Sequence, residues 1–349
     1  MLAPTILAFV LLHFAGLVVG IKPPAWLQPL HKSRTHAPLG AYIVRQDVKV
    51  WPSARLYDSI GSAVAALPND TTTQTVFIYP GVYYERINIT RPGPTTIYGY
   101  TRDVSNFAAN QVRIEAGVPA SVAGSNDLSG TLRVHKDDFR MYNVNVTNTW
   151  VGSQAIAISQ YGSRVGLYAC AFLGFQDTLY ANLGTQVYLK SYIEGAVDFI
   201  FGRGGLAFFG GNTIGVRAAG YITASGRLSN DTGSYVFDHT KVVTAPNAAA
   251  NTTGHVFLGR PWGNFAKVIF KNTDIEAPLN NTLWSTWNPG DERTDNVFLA
   301  EYNTFGRGVP NPQRPSFSTL LTRDEATAYS ISSAVGTDYA QWVDPHYLT

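Results

Sequence analysis

The chain has 349 residues, 45% of them apolar and only 14% charged, which is enough to bury a large core and excludes an intrinsically disordered polymer. Its formal net charge of +2 is too small for a nucleic-acid-binding surface, although mild basicity suits an acidic polymer as substrate. Abundant glycine (32) and aromatics (Tyr 19, Phe 18, Trp 7) favour a turn-rich β protein over a helical bundle.

At the N-terminus an apolar run from Ile6 to Val19, broken only by His13 and Gly16, precedes small residues and then a polar, proline-containing stretch. This predicts a secretory signal peptide over residues 1–20, with one domain over 21–349. The run is short for a membrane span, and no later segment is long and apolar enough to be one, so no membrane partner is expected. Export through a eukaryotic host would make Asn69, Asn88, Asn145, Asn230, Asn251 and Asn280 candidate glycan sites, each opening an Asn-x-Thr sequon. Asn145 lies inside an alternating strand pattern, where a stacked, buried asparagine competes with a glycan. Cys170 is the only cysteine, so no intramolecular disulfide forms, and it reads as a small buried apolar residue.

Next in chain order, Tyr57, Ile60, Val64 and Leu67 follow a helical spacing that Pro68 and Asp70 end, predicting one short amphipathic helix. The periodicity then changes to short strands at 76–79, 87–89 and 96–98, bounded by Gly, Pro or Asn. From there to about residue 300 almost no helical signal is expected.

The middle of the chain repeats. Phe172-Leu-Gly-Phe-Gln-Asp177 recurs as Ile193-Glu-Gly-Ala-Val-Asp198, with the apolar residue, Gly and Asp each displaced by 21 positions, and Gln154 and Gln176 are 22 apart. Units of this length cannot bury a core alone, whereas stacked coils can. In a parallel β-helix, residues one coil apart lie about 4.8 Å above each other. Gln154, then Gln176 with Asp177, then Asp198 should therefore form a column on one solvated sheet face. Stacked like charges repel, so such a column points to function rather than to stability.

The blocks GVYYE (81–85), QAIAI (154–158), GFQDTLY (174–180), GAVDFIFG (195–202) and LGRPW (258–262) resemble, in order and spacing, the signature blocks of the pectin methylesterase family. The resemblance spans roughly residues 40 to 340. It implies an all-β, single-stranded right-handed parallel β-helix with a short N-terminal helix and a C-terminal extension. It also implies a secreted monomer that hydrolyses the methyl esters of pectin (homogalacturonan), with no cofactor and no metal. By the same resemblance Asp198 is the nucleophile, Asp177 the general acid and then base, Arg260 the partner that holds Asp198 ionised, and Gln154 and Gln176 oxyanion donors. Trp262, Phe201, Tyr180 and Phe199 would line the cleft and stack on sugar rings, with core or platform packing the alternative for each. Tyr83 and Glu85 read as structural, with Glu85 bonding to the fold beside a tight turn at Gly81. Where many relatives carry a second cysteine, this chain has Ser191.

Rival readings are weaker. No G-x-S-x-G nucleophile elbow occurs, and the seven histidines are scattered without metal-ligand spacing. A pectate lyase or polygalacturonase could share the solenoid, but a lyase would want a calcium-binding carboxylate cluster and an inverting hydrolase more widely separated acids. A non-catalytic pectin-binding protein would not need both aspartates and Arg260.

Overall fold

The computed structural model describes residues 32–46, 55–250, 252–309 and 311–348. The expected signal peptide and Asn251 lie outside them. Among the described residues the strands form three parallel sheets of 12, 8 and 7 strands. Through the middle of the chain each circuit adds one strand to each sheet. Val165–Tyr168 joins the long sheet, Ala171–Leu173 the eight-stranded sheet and Leu179–Ala181 the seven-stranded sheet, after which Leu183–Leu189 returns beside Val165–Tyr168. This is the right-handed parallel β-helix expected from the repeat, with the hand that parallel crossovers almost always take. The pairings Phe172↔Ile193, Leu179↔Ile200 and Tyr180↔Phe201 match the 21-residue offset.

The corner between the long and the eight-stranded sheets is built in one way on six successive coils. Two residues make the turn at 143–144, 169–170, 190–191, 211–212, 239–240 and 272–273. The first of each pair is left-handed, with φ from 46° at Ala169 to 61° at Gly211. Its N–H donates to the next coil, Asn143 to Tyr168 O, Ala169 to Leu189 O and Lys190 to Gly210 O, so the turn stays in the hydrogen-bonded stack. The second of each pair is buried, and Cys170 stands there with its N–H donating to Ser191 Oγ at 3.1 Å. Burial pushes its thiol up to about 12.

Inside the coil, Tyr188, Phe209, Phe237 and Phe270 stack face to face, with centroids 4.7, 4.3 and 4.2 Å apart. Register puts them directly over one another, and each stacked pair is worth about 0.5–1.5 kcal/mol beyond its buried area. The column ends at Glu301, fully buried, whose carboxylate accepts from Trp284 Nε1 (2.9 Å), Thr304 Oγ1 (2.9 Å) and the Arg314 guanidinium.

The amphipathic helix is Ile60–Ala65, with Ile60 and Ala63 buried. Glu85 caps it, its two carboxylate oxygens accepting from Ile60 N (2.9 Å) and Gly61 N (2.7 Å), while Tyr83 Oη donates to Tyr79 O. Both residues are thus structural, as read from the sequence. The C-terminal extension contains the helices Arg323–Thr327 and Ile331–Val335. Its Ala334, Val335, Trp342 and Tyr347 pack against Val187, Leu189, Phe208 and Val236 on the outside of the long sheet. Strands there are consequently apolar on both faces rather than alternating.

Two further helices, Ala120–Ala123 and Asn126–Ser129, stand where almost no helical signal was expected. They occupy a long connection between the eight- and seven-stranded sheets. Successive connections at that corner cover 84–86, 117–131, 149–157, 174–178, 196–199, 217–219 and 245–255. Three consecutive short ones, 174–178, 196–199 and 217–219, lie in the middle.

Candidate active site

Asp177 and Asp198 occupy two of those short connections, one coil apart. Asp177 N–H donates to Val197 O at 3.1 Å, and Gln154 bridges to Gln176, which bridges to Val197. The column expected from the repeat exists, but its setting differs. Both aspartates sit at a corner rather than on a sheet face, in left-handed conformations with φ of 63° and 50°. Such φ values cost a non-glycine residue of order 1–3 kcal/mol and concentrate where surrounding structure fixes a functional side chain. Nor is the site openly solvated, because Asp177 is 5% and Asp198 6% exposed. Gly195 makes the tight corner possible, since a Cβ there would lie 2.3 Å from Phe199 Cβ.

Arg260, two coils on in the same sheet column as Phe201 and Ala224, grips Asp198 with two parallel bonds, Nε to Oδ1 at 2.9 Å and Nη2 to Oδ2 at 2.8 Å. This fork is the strong, orienting form of a charge-assisted contact. The guanidinium is itself clamped between the rings of Tyr221 (4.0 Å) and Trp287 (4.1 Å), and its Nη1 donates to Trp287 O. Among the described residues, no cation contacts Asp177. Its Oδ2 accepts from Asn126 Nδ2 at 3.1 Å.

The two carboxyls are therefore inequivalent. Burial pushes Asp177 well above the usual carboxylate range and the neighbouring Asp198 charge adds to this, against weaker opposition from Asn126 and Arg260. Burial raises Asp198 as well, but the Arg260 fork opposes it. One proton shared between them thus resides on Asp177. Gln176 is half-buried and Gln154 exposed, and neither spends its side-chain amide on the fold.

The aromatic residues divide. Phe199 is a correction: fully buried in the interior cluster with Leu179 and Ile200, it cannot meet a sugar. Tyr180 and Phe201 do face outward, stacked at 4.4 Å with 6° between their planes, yet at 9% and 3% exposure they form a packed floor. Trp262 is the half-exposed ring over that floor, 6.1 Å from Phe201 and covered on one side by the Arg203 guanidinium at 4.1 Å. Gly226 leaves room for it, since a Cβ would meet the indole at 2.3 Å. Asn126, Tyr221 and Trp287 were not anticipated. They come from other connections or coils at spacings unrelated to 21, and the one sequence hint is the Ser125-Asn126-Asp127 run that opens a helix.

The pectinesterase family model matches residues 51–338. A pectinesterase of Aspergillus niger is 38% identical over 326 residues, covering 91% of this chain and 95% of that one. Pectinesterase A of Emericella nidulans is 36% identical, covering 90% and 92%. Among solved structures, the pectin methylesterase of Aspergillus niger superposes with a TM-score of 0.82 at 36% identity, covering 90% of this chain and all of that one. The carrot enzyme, at 22% identity and a TM-score of 0.77, shares the fold.

Proposed function

The chain belongs to the pectinesterase family, and from that premise we propose how its buried carboxylate pair hydrolyses the methyl esters of pectin. It is a carboxylic ester hydrolase. The observation that carries the mechanism is the Arg260 fork on Asp198 beside an Asp177 that has no cation in contact among the described residues. Asp198, ionised and oriented, attacks the ester carbonyl carbon of a galacturonate unit. The oxyanion so formed takes N–H donors from Gln176 and Gln154, of which the loss of one typically costs about a hundredfold or more. As the intermediate collapses, Asp177 passes its proton to the departing methoxide and methanol leaves, with Asp198 and the sugar carboxyl joined as an anhydride. Asp177, now a carboxylate, takes a proton from water as that water attacks the anhydride, which frees the galacturonate acid and Asp198. Trp262 stacks on a neighbouring sugar.

The same reading makes residues 21–349 the catalytic domain of a secreted monomer and 1–20 its signal peptide. No helix among the described residues is long and apolar enough to cross a membrane. Of the sequons, Asn69, Asn88 and Asn230 are exposed and open to a glycan. Asn145 Oδ1 instead accepts from Asn110, and Asn280 holds its own turn through Thr282 and Gly254. Mass spectrometry of the exported protein reads both the mature terminus and the occupied sites.

The deciding experiment incubates purified protein with highly methylated pectin and EDTA, following methanol and unsaturated uronide absorbance together. Methanol with no absorbance rise is expected. Unsaturated ends that require calcium would replace the esterase with a lyase.

A further inference from the structure

We infer that Asn126 is a positioning residue that decides which oxygen of Asp177 carries the catalytic proton, held in place by a latch centred on Asp127. The inference rests on the acid–base reading of Asp177.

Asn126 belongs to a helix of only four residues, Asn126–Ser129, whose local needs are met by others. Ser125 Oγ accepts from Leu128 N at its start, and Ser129 Oγ donates to the Asn126 carbonyl at 2.7 Å. The Asn126 side chain is left with one bond, and that bond goes to Asp177 Oδ2. The next residue ties the helix down. Asp127 Oδ2 accepts from Arg133 Nε (3.1 Å) and Nη2 (2.5 Å), while its Oδ1 accepts from Ser159 Oγ (2.7 Å) and lies 2.7 Å from His135 Nε2. Arg133 and Ser159 pair across neighbouring strands of the seven-stranded sheet, and Ser159 pairs in turn with Tyr180 of the cleft floor. The helix is thus fixed to the rigid sheet at its start by one carboxylate with three partners, and at its end by bonds from Asn148 Nδ2 to Ser129 O and from Ile156 N to Ser129 Oγ. Burial alone would raise the Asp127 carboxyl, and the bonds from Arg133, Ser159 and His135 outweigh it, so the latch stays charged.

The chemistry follows from donor and acceptor roles. A primary amide N–H pointing at Oδ2 occupies that oxygen, so the proton of neutral Asp177 must sit on Oδ1. After the proton has left, the same N–H stabilises the carboxylate that must then act as base. The groups facing Asp177 are Asp198 and Arg260 from the neighbouring and later coils and Asn126 from the earlier connection. His135 and Arg133 bond to Asp127. Asn126 therefore opposes burial and the Asp198 charge, and keeps the acid from becoming too weak to return as a base.

The test measures kcat and KM on methyl-esterified pectin across pH, together with thermal melting, for Asn126→Ala and Asn126→Asp, with Asp177→Asn as reference. Loss of a hydrogen bond to a group that is charged in one half of the cycle should lower kcat about tenfold or more, while KM stays within about twofold. Because the lost donor favoured the ionised form, the alkaline limb of kcat should move to higher pH. Asn126→Asp, nearly isosteric, should move it further by adding a third carboxylate. Asp127→Asn, which weakens the latch, should reproduce part of the kcat loss. Parent-like kcat and an unmoved alkaline limb in the Asn126 variants, beside an inactive Asp177→Asn, would overturn the inference alone. A loss of kcat that tracks lower melting temperature with no shift of the limb would overturn it too, as a purely structural effect. Parent-like turnover in Asp177→Asn would instead remove the acid–base reading beneath it.

Discussion

Replacing Arg260 by alanine strikes the inequivalence on which the whole mechanism depends. The side chains of Arg260 and Asp198 are 14% and 9% exposed, so solvent screens little of their interaction. Removing one partner of a buried ion pair typically costs about 3–5 kcal/mol, because the other charge stays behind unpaired. Asp198 escapes most of that cost by taking up a proton. At about 1.4 kcal/mol per pKa unit, roughly 2–3 units of upward displacement result. The sign is fixed by the role: a nucleophile must be ionised, so activity disappears as pH falls through its pKa. The acidic limb of kcat/KM should therefore move up by about 2–3 units in Arg260→Ala, with the melting temperature changed far less than a lost 3–5 kcal/mol would imply. Arg260→Lys keeps the charge but loses the fork and the flat stacking between Tyr221 and Trp287, so its limb should lie between the two. Methanol release from methylated pectin at a series of pH values measures all three. An acidic limb in Arg260→Ala that coincides with the parent's would refute the claim that this guanidinium keeps the nucleophile charged.

The Asp177 carboxyl is raised in the folded state, so the stability it contributes is full below its unfolded pKa of about 3.9 and is lost as pH rises through the folded value. Asp177→Asn should consequently melt higher than the parent at neutral pH, with the gap closing near pH 4, as read by calorimetry; a gap that widens in acid would contradict this. Phe199→Ala should lose about 3–5 kcal/mol of stability in denaturant titrations. Trp262→Ala should instead leave stability nearly intact and raise KM roughly two- to tenfold, as expected for a lost ring contact. Glu301→Ala strands Arg314 and Trp284 Nε1 at the end of the aromatic column, and chemical unfolding should register a loss of about 3–5 kcal/mol with kcat retained in the surviving folded fraction.

The repeat of 21 made the vertical arrangement legible, because in a solenoid sequence separation translates directly into height. Asp177 over Asp198 needed nothing beyond that arithmetic, whereas Arg260 was implied by the resemblance of LGRPW (258–262) to a family block. Horizontal position was harder. Strand alternation predicts which way a side chain points only within a strand, and the left-handed residue at each corner resets it. Phe199 and Phe201 share the same parity, yet Phe199 lies at the corner just after Asp198 and turns inward while Phe201 turns out. Asn126 escaped for a different reason. Its connection is an insertion relative to the repeat, so no periodic argument reaches it, and a helix of four residues carries too little amphipathic signal to be read.

The three corners differ in how regularly the chain turns them. At the turn between the long and eight-stranded sheets, six successive coils spend two residues each, the first left-handed and the second buried, whereas one earlier connection there, 100–111, is long. At the corner that carries the aspartates, connections already range from the three residues 217–219 to the stretch 117–131 without disturbing the stack. Length varies at both corners that flank the seven-stranded sheet carrying Tyr180, Phe201 and Arg260, since the connections from that sheet to the long one also range from the single residues 182 and 203 to the stretch 226–233. A lineage of such enzymes can reshape the walls beside its carboxylates, lengthening one and trimming another, while the coil that sets the carboxylates' height is left untouched.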